Sequence, residues 1–319
     1  MKILVIQNKM GIGDMVIYLP FIKSISKKFS CPITLLVKES TKADQYLNRA
    51  SYIDEIIYLK RNNNKNDKHD GFVGSIKLSI ELKNKRFDKV FILNSSLRFY
   101  LICKLANIKE IFQYPLFKKK KQHIINAAKD LIRNTLNLEV ESNPNIEILD
   151  EEIINAKKKF NINKDKINIL LGIGGSGPTK RTPPEKFIKF MELCLKKYDC
   201  RFYLATGGVD EEQKILLEIV NHHQKSCLAL DKLKISEILP IIKNCDIAIC
   251  NDSSFSHLSA ALGKKTIVLM CDTPKIYGSY NSNMHPILPD GVENVTHGTE
   301  GKDKINPLKI FEKFQSLIS

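Results

Sequence analysis

An α/β fold of two Rossmann-like, doubly wound parallel sheets is predicted by three features of this 319-residue sequence. Short β-branched runs alternate with longer amphipathic stretches along nearly the whole chain. The alternation comes as two successive series, separated by a polar stretch without periodicity. The length also exceeds what a single hydrophobic core usually supports.

The first series opens at Lys2–Gln7 (KILVIQ), a continuous apolar run of the kind a buried parallel strand needs. A turn containing Gly11 and Gly13 leads into an amphipathic stretch to Phe29, and Pro20 inside it is expected to kink or restart the helix. Strands are predicted at Ile33–Val37, Glu55–Leu59 and Lys89–Leu93, with helices over 74–86 and 96–106. The segment 62–71 (NNNKNDKHDG) is a polar loop. Residues 139–150 (EVESNPNIEILD) mark the linker. The second series predicts strands at Ile167–Leu171, Arg201–Ala205, Asp246–Cys250 and Thr266–Met270. Helices are expected over 184–197, 210–222, 255–262 and 307–318. Two such halves are expected to face a cleft.

The composition narrows the partners. Net charge is +15, and it is unevenly spread: residues 1–150 carry 26 Lys and Arg against 15 Asp and Glu, residues 151–319 carry 24 against 20. A basic N-terminal half implies an anionic partner, whether nucleic acid, acidic membrane or phosphorylated substrate. No helix-turn-helix, zinc or RNP-type signature supports nucleic acid. The eight cysteines are scattered without a C-x-x-C pair, so neither a zinc site nor a redox dithiol is expected. With no disulfide framework and no signal peptide, the expected compartment is a reducing cytoplasm. No apolar run is long enough to span a bilayer.

Three strand-to-helix junctions carry unusual chemistry. The first is Gly11-Ile12-Gly13-Asp14, where the glycines let a ligand approach the backbone and the helix dipole favours an ionised Asp14. That carboxylate is either an N-cap or a general base. The second is Gly172 to Arg181 (GIGGSGPTKR). Amides around Gly174 and Gly175, hydroxyls of Ser176 and Thr179, and cations Lys180 and Arg181 suit a diphosphate, although the P-loop spacing is absent and a merely solvated glycine-rich connection fits as well. In the third, Asp252, Ser253 and Ser254 stand at a helix start with His257 one turn inside. This is an anion-binding nest or plain capping, with His257 reaching a phosphate or bonding back to the loop.

These three segments resemble glycosyltransferase family 9, the bacterial heptosyltransferases of lipopolysaccharide core synthesis. The resemblance rests on Gly13-Asp14 followed by Leu19-Pro20, on Lys180-Arg181-Thr182-Pro183, and on Asp252 to Gly263 (DSSFSHLSAALG). It implies a GT-B fold, with an acceptor-binding domain over 1–145 and a nucleotide-sugar-binding domain over 146–319. The closing helix 307–318 is free in this scheme to return to the N-terminal domain. The implied reaction is inverting and independent of metal or other cofactor. It moves a sugar, heptose from ADP-heptose in the leading reading, to the lipid A-core of a lipopolysaccharide or lipooligosaccharide. The enzyme is then peripheral at the inner face of the inner membrane. Asp14 resembles the family's base, Lys180 its diphosphate-stabilising lysine, Asp252, Ser253 and Ser254 its phosphate-binding turn, and Glu211 its ribose contact. Gly13 and the run Lys118, Lys119, Lys120 and Lys121 are candidates for holding the anionic acceptor or the membrane.

Departures from the family pattern are Ser254 for a glycine, Thr182 for an aromatic, and Cys271-Asp272-Thr273 for Gly-Pro-Thr, which brings a carboxylate near the expected nucleotide site. Three rival functions stay open: transfer from another nucleotide sugar, a nucleotide-sugar epimerase or hydrolase, and a non-enzymatic nucleic-acid binder.

Overall fold

The computed structural model describes residues 1–9, 11–61, 67–116 and 122–318. The run Lys118–Lys121 and positions 62–66 of the polar loop lie outside the described residues. The chain divides into two compact units, Met1–Pro144 and Asn145–Ser319.

The first unit runs β1 (Ile3–Gln7), α1 (Ile12–Phe29), β2 (Ile33–Lys38), α2 (Asp44–Leu47), β3 (Ile53–Leu59), α3 (Gly71–Lys85), β4 (Lys89–Ile92), α4 (Leu97–Leu105), β5 (Glu110–Gln113) and α5 (Ile124–Leu136). Its strands are all parallel, in the order β3-β2-β1-β4-β5. β1 is buried along its length because it lies in the middle. Leu4 and Ile6 point to one face, where they pack with Leu78 and Leu82 of α3 and with Phe99, Ile102 and Cys103 of α4. Right-handed crossovers put α1 on the other face, and there it packs with α5. α1 is one helix from Ile12 to Phe29, so Pro20 does not restart it. The apolar residues on both sides of the proline, Tyr18, Leu19, Phe21 and Ile22, are all buried, and their packing carries the helix through one missing N–H.

The second unit runs α6 (Asp150–Lys159), β6 (Ile167–Gly172), α7 (Pro184–Leu195), β7 (Cys200–Ala205), α8 (Asp210–His222), β8 (Cys227–Ala229), α9 (Ile235–Asn244), β9 (Ile247–Asn251), α10 (Ser254–Ala261), β10 (Thr266–Leu269), β11 (Met284–Ile287) and α11 (Pro307–Ile318). The sheet is again parallel, in the order β11-β10-β9-β6-β7-β8. Asp150, Glu151 and Glu152 at the start of α6 and Lys157 to Lys159 at its end complement the helix dipole. The closing helix of the chain is α11. It packs on α7 of its own unit, with Phe314 buried and edge-on to Phe190 at a centroid distance of 5.7 Å. All eight cysteines are free thiols and seven are buried, as small core hydrophobes are.

Candidate functional site

In each sheet the strand order reverses once, between β1 and β4 in the first unit and between β6 and β9 in the second. Ligands of open α/β sheets bind beyond the carboxyl ends of the strands at such a point, because the connections leave to opposite faces there. The three junctions named above follow β1, β6 and β9. Each unit therefore has its candidate residues at its own switch point.

In the second unit the structure brings two of the junctions together. Gly172, the last residue of β6, is in register with Cys250 of β9. A Cβ at Gly172 would lie 2.6 Å from Cys250 Sγ, so only glycine lets the strand ends pack this closely. Asn251, fully buried at the end of β9, reaches across: its Nδ2 donates to the carbonyls of Ile173 (2.8 Å) and Gly174 (3.3 Å), and its Oδ1 accepts from Thr182 N–H (3.3 Å). After the short 3-10 turn Pro178–Lys180, Lys180 Nζ donates to Asp252 Oδ2 at 3.3 Å. The other oxygen of Asp252 lies 3.8 Å from His257 Nε2, and His257 Nδ1 is 2.9 Å from the Tyr280 hydroxyl. His257 is thus a buried ring stacked on Tyr280, with its Nε2 on the side of Asp252.

Ser253 is the N-cap of α10 by position, yet its side chain accepts no amide, and its buried Oγ has no hydrogen-bond partner among the described residues. Ser254 begins the helix. An uncapped helix start near Lys180 has the chemistry that suits an anion, since free N–H groups and the helix dipole both favour negative charge.

A buried carboxylate that sequence reasoning missed organises the glycine loops. Glu212, 4% exposed in the first turn of α8, accepts from Gly175 N–H (2.9 Å), Gly207 N–H (2.6 Å) and the Thr206 hydroxyl. Arg181 Nε lies 3.5 Å from it and donates to the Gly175 carbonyl at 3.0 Å. A side chain at Gly174 would meet Glu212 at 2.8 Å. The Gly175 amide and Arg181 are engaged by Glu212, and Glu211, 69% exposed, reaches only to 3.9 Å from Arg181. The signal for Glu212 was the run Asp210-Glu211-Glu212 after two glycines, but consecutive helical positions point about 100° apart and only packing distinguishes them.

Asp272, flagged by sequence as an extra carboxylate near the nucleotide, accepts from the amides of Gly298 (2.7 Å) and Glu300 (3.0 Å). Burial alone would raise its pKa. Donation by Glu300 N–H, the Thr179 hydroxyl and Gly298 N–H outweighs burial and holds the carboxyl below its usual range. Thr182 is fully buried, with its hydroxyl 3.5 Å from Cys271 Sγ, which leaves no room for an aromatic ring.

In the first unit Gly11 is the N-cap of α1, and Asp14 is the third helical residue, with Gly13 just before it. Asp14 is partly exposed and makes no side-chain hydrogen bond or ion pair among the described residues. It is not the N-cap of its helix. At the same switch point both amide atoms of the buried Gln7 lack partners among the described residues. Beyond β4 and β5 lies a cavity of about 530 Å³ whose lining includes Lys9, Tyr18, Asn94, Gln113, Asp130 and Asn134. The sequence pointed to none of these residues, because they come from three separate elements and two loops. Among the described residues no group of three or more His, Cys, Asp or Glu could hold a metal ion.

Residues 76–294 match the profile of glycosyltransferase family 9 (heptosyltransferase). The lipopolysaccharide heptosyltransferase 1 of Campylobacter coli is 27% identical over 145 residues, which are 44% of this chain and 42% of that protein, so the chain matches less than half the length of this curated relative. The E. coli ADP-heptose lps heptosyltransferase II superposes with a TM-score of 0.76 at 19% identity, covering 100% of this chain and 98% of the other. A family 9 glycosyl transferase from Veillonella parvula gives 0.78 at 18% identity, covering 99% and 97%. These likenesses are of fold, and the fold class is α/β of the GT-B kind.

Proposed function

The chain belongs to glycosyltransferase family 9 (heptosyltransferase), and on that footing we propose that it moves heptose from ADP-heptose to a sugar hydroxyl of a lipopolysaccharide or lipooligosaccharide core. The observation that carries this reading is the uncapped start of α10 beside the Lys180–Asp252 pair at the switch point of the second unit. A diphosphate is the group that a cation and free helix amides receive best. ADP-heptose is the choice among nucleotide sugars because it is named for the E. coli relative.

The acceptor oxygen attacks the anomeric carbon opposite the nucleotide. The C–O bond to the diphosphate breaks with inversion, and the acceptor proton passes to Asp14. Charge that grows on the departing diphosphate is met by Lys180 and the amides of α10, without a metal or other cofactor. Supporting the base is a carboxylate at a switch point with no hydrogen-bond or ion-pair partner among the described residues. In support of the acceptor side, the first unit is basic and its cavity is lined by amides and a carboxylate, groups that bind sugar hydroxyls. Gly13 and Lys118–Lys121 remain candidates for the acceptor's phosphates. Such an enzyme works at the cytoplasmic face of the inner membrane, where its glycolipid acceptor lies. No described helix is long and apolar enough to cross a membrane.

The test is product analysis by mass spectrometry with purified protein and ADP-, UDP-, GDP- and CMP-sugars, with and without a lipid A-core acceptor. The reading expects heptosylated acceptor and ADP only when both substrates are present. Free sugar released without acceptor identifies a hydrolase or epimerase instead, and transfer from another nucleotide sugar corrects the donor.

A further inference from the structure

The two helices on the outer face of the first sheet carry an unusual surface. On α3, Phe72, Val73, Ile76 and Ile80 are exposed, Phe72 by 82%. On α4, Leu97, Leu101 and Leu105 are exposed, Leu105 by 61%. At 100° per residue each set forms a single stripe on its helix. Both stripes point away from the residues that cover the sheet, Leu78 and Leu82 of α3 and Phe99, Ile102 and Cys103 of α4. α3 and α4 pack side by side, so the stripes share one face of the unit. Exposed large apolar residues in soluble proteins normally occur singly, and a concentration of this kind marks a surface that meets something else.

Charge narrows what it meets. Glu81 is the sole acid on either helix, and it is engaged by Lys68 (2.6 Å) and His69 (3.2 Å). Lys77, Lys83, Lys104 and, just past α4, Lys109 are exposed, and none makes an ion pair among the described residues. Apolar side chains on the outward surface of helices, flanked by unpaired lysines and free of unpaired acids, fit the boundary of an anionic bilayer: the apolar residues enter the acyl edge and the lysines meet the headgroups. We propose that the α3–α4 face is the membrane-docking surface of this protein, with anionic phospholipid as its occupant. The choice of a lipid surface rather than a second protein rests on the glycolipid acceptor proposed above, whereas the surface itself does not.

Flotation of the full-length chain with vesicles tests this. Wild type should bind phosphatidylethanolamine vesicles containing phosphatidylglycerol, bind phosphatidylcholine vesicles poorly, and lose binding as salt rises from about 0.1 M to about 0.5 M. Phe72→Asp with Leu101→Asp should reduce the bound fraction roughly tenfold, as should Lys77→Glu with Lys104→Glu, at unchanged melting temperature because all four side chains are exposed. Equal binding by wild type and variants, or no binding by wild type, overturns the proposal. So does a wild-type dimer that Phe72→Asp dissolves, since the face is then an interface between copies. Transfer to a detergent-solubilised acceptor is read in parallel. Transfer without vesicle binding sinks the docking surface alone, and vesicle binding through this face without transfer sinks the activity alone.

Discussion

Lys180 Nζ and Asp252 Oδ2 lie 3.3 Å apart across the ends of β6 and β9, though 72 residues separate them in the chain. Asp252 is 6% exposed, so the lysine pairs with a buried carboxylate that stands two residues before the start of α10. Replacing Lys180 by Ala should lower kcat/KM for glycosyl transfer roughly 10²–10³-fold, as the loss of one preorganised charge stabiliser does. It should also destabilise the fold by about 1–3 kcal/mol, by leaving Asp252 unpaired. Adding Asp252→Asn should restore the melting temperature without restoring turnover. A single variant with wild-type kinetics would remove Lys180 from the reaction.

Asp14 makes no side-chain hydrogen bond or ion pair among the described residues, and it stands in the first turn of α1. Asp14→Asn should reduce kcat by roughly 10²–10⁴-fold, the range for a lost general base. ADP affinity by calorimetry should stay within about twofold if the residue acts only on the acceptor proton. A carboxylate that merely complements the helix dipole would instead give about 0.3–1 kcal/mol of stability and no kinetic effect.

Glu212 joins the loops after β6 and β7 through Gly175, Gly207 and Thr206. In Glu212→Gln one acceptor oxygen becomes an NH₂ facing these donors. Denaturant unfolding should show a loss of about 1–3 kcal/mol, and KM for the donor should rise more than kcat falls. Glu211→Gln, at an exposed position, should leave both unchanged.

The Asp272 carboxyl is held below its usual range by the amides of Glu300, Gly298 and Thr299 and by the Thr179 hydroxyl, against the opposing effect of burial. A depressed native pKa means that the unfolded chain binds the proton more tightly. The stabilisation is therefore complete above about pH 4, the unfolded value, and disappears as pH falls through the native pKa. The melting-temperature gap between wild type and Asp272→Asn should be widest near neutrality and shrink in acid. A gap independent of pH would rule out the ionised carboxylate as its source.

Phe314 fixes α11 against Phe190 and Tyr198. Phe314→Ala should cost about 3–5 kcal/mol, as truncation of a fully buried ring does. A loss below about 1 kcal/mol would mean that α11 contributes little to the second core.

Most of the architecture was legible because a buried parallel strand must be apolar throughout and an amphipathic helix must repeat near 3.6 residues. β1, α8 and α11 follow from those two constraints almost residue for residue. β5, β8 and β11 went unseen because they are short edge strands, partly exposed, and lack the continuous apolar run of β4 and β10. α9 was hidden by Pro240 within it, and α6 by burying only Ala156.

The candidate site divides in the same way. The sequence by itself determined that glycines, a lysine and an aspartate fall where strands give way to helices, since that is a matter of local pattern. Only the tertiary structure decided that Lys180 meets Asp252, that Glu212 rather than Glu211 ties the glycine loops, and that Asp272 is occupied by amides of a distant turn. Those choices depend on distances between segments far apart in the chain, and on side-chain direction at neighbouring helical positions, neither of which a one-dimensional pattern contains.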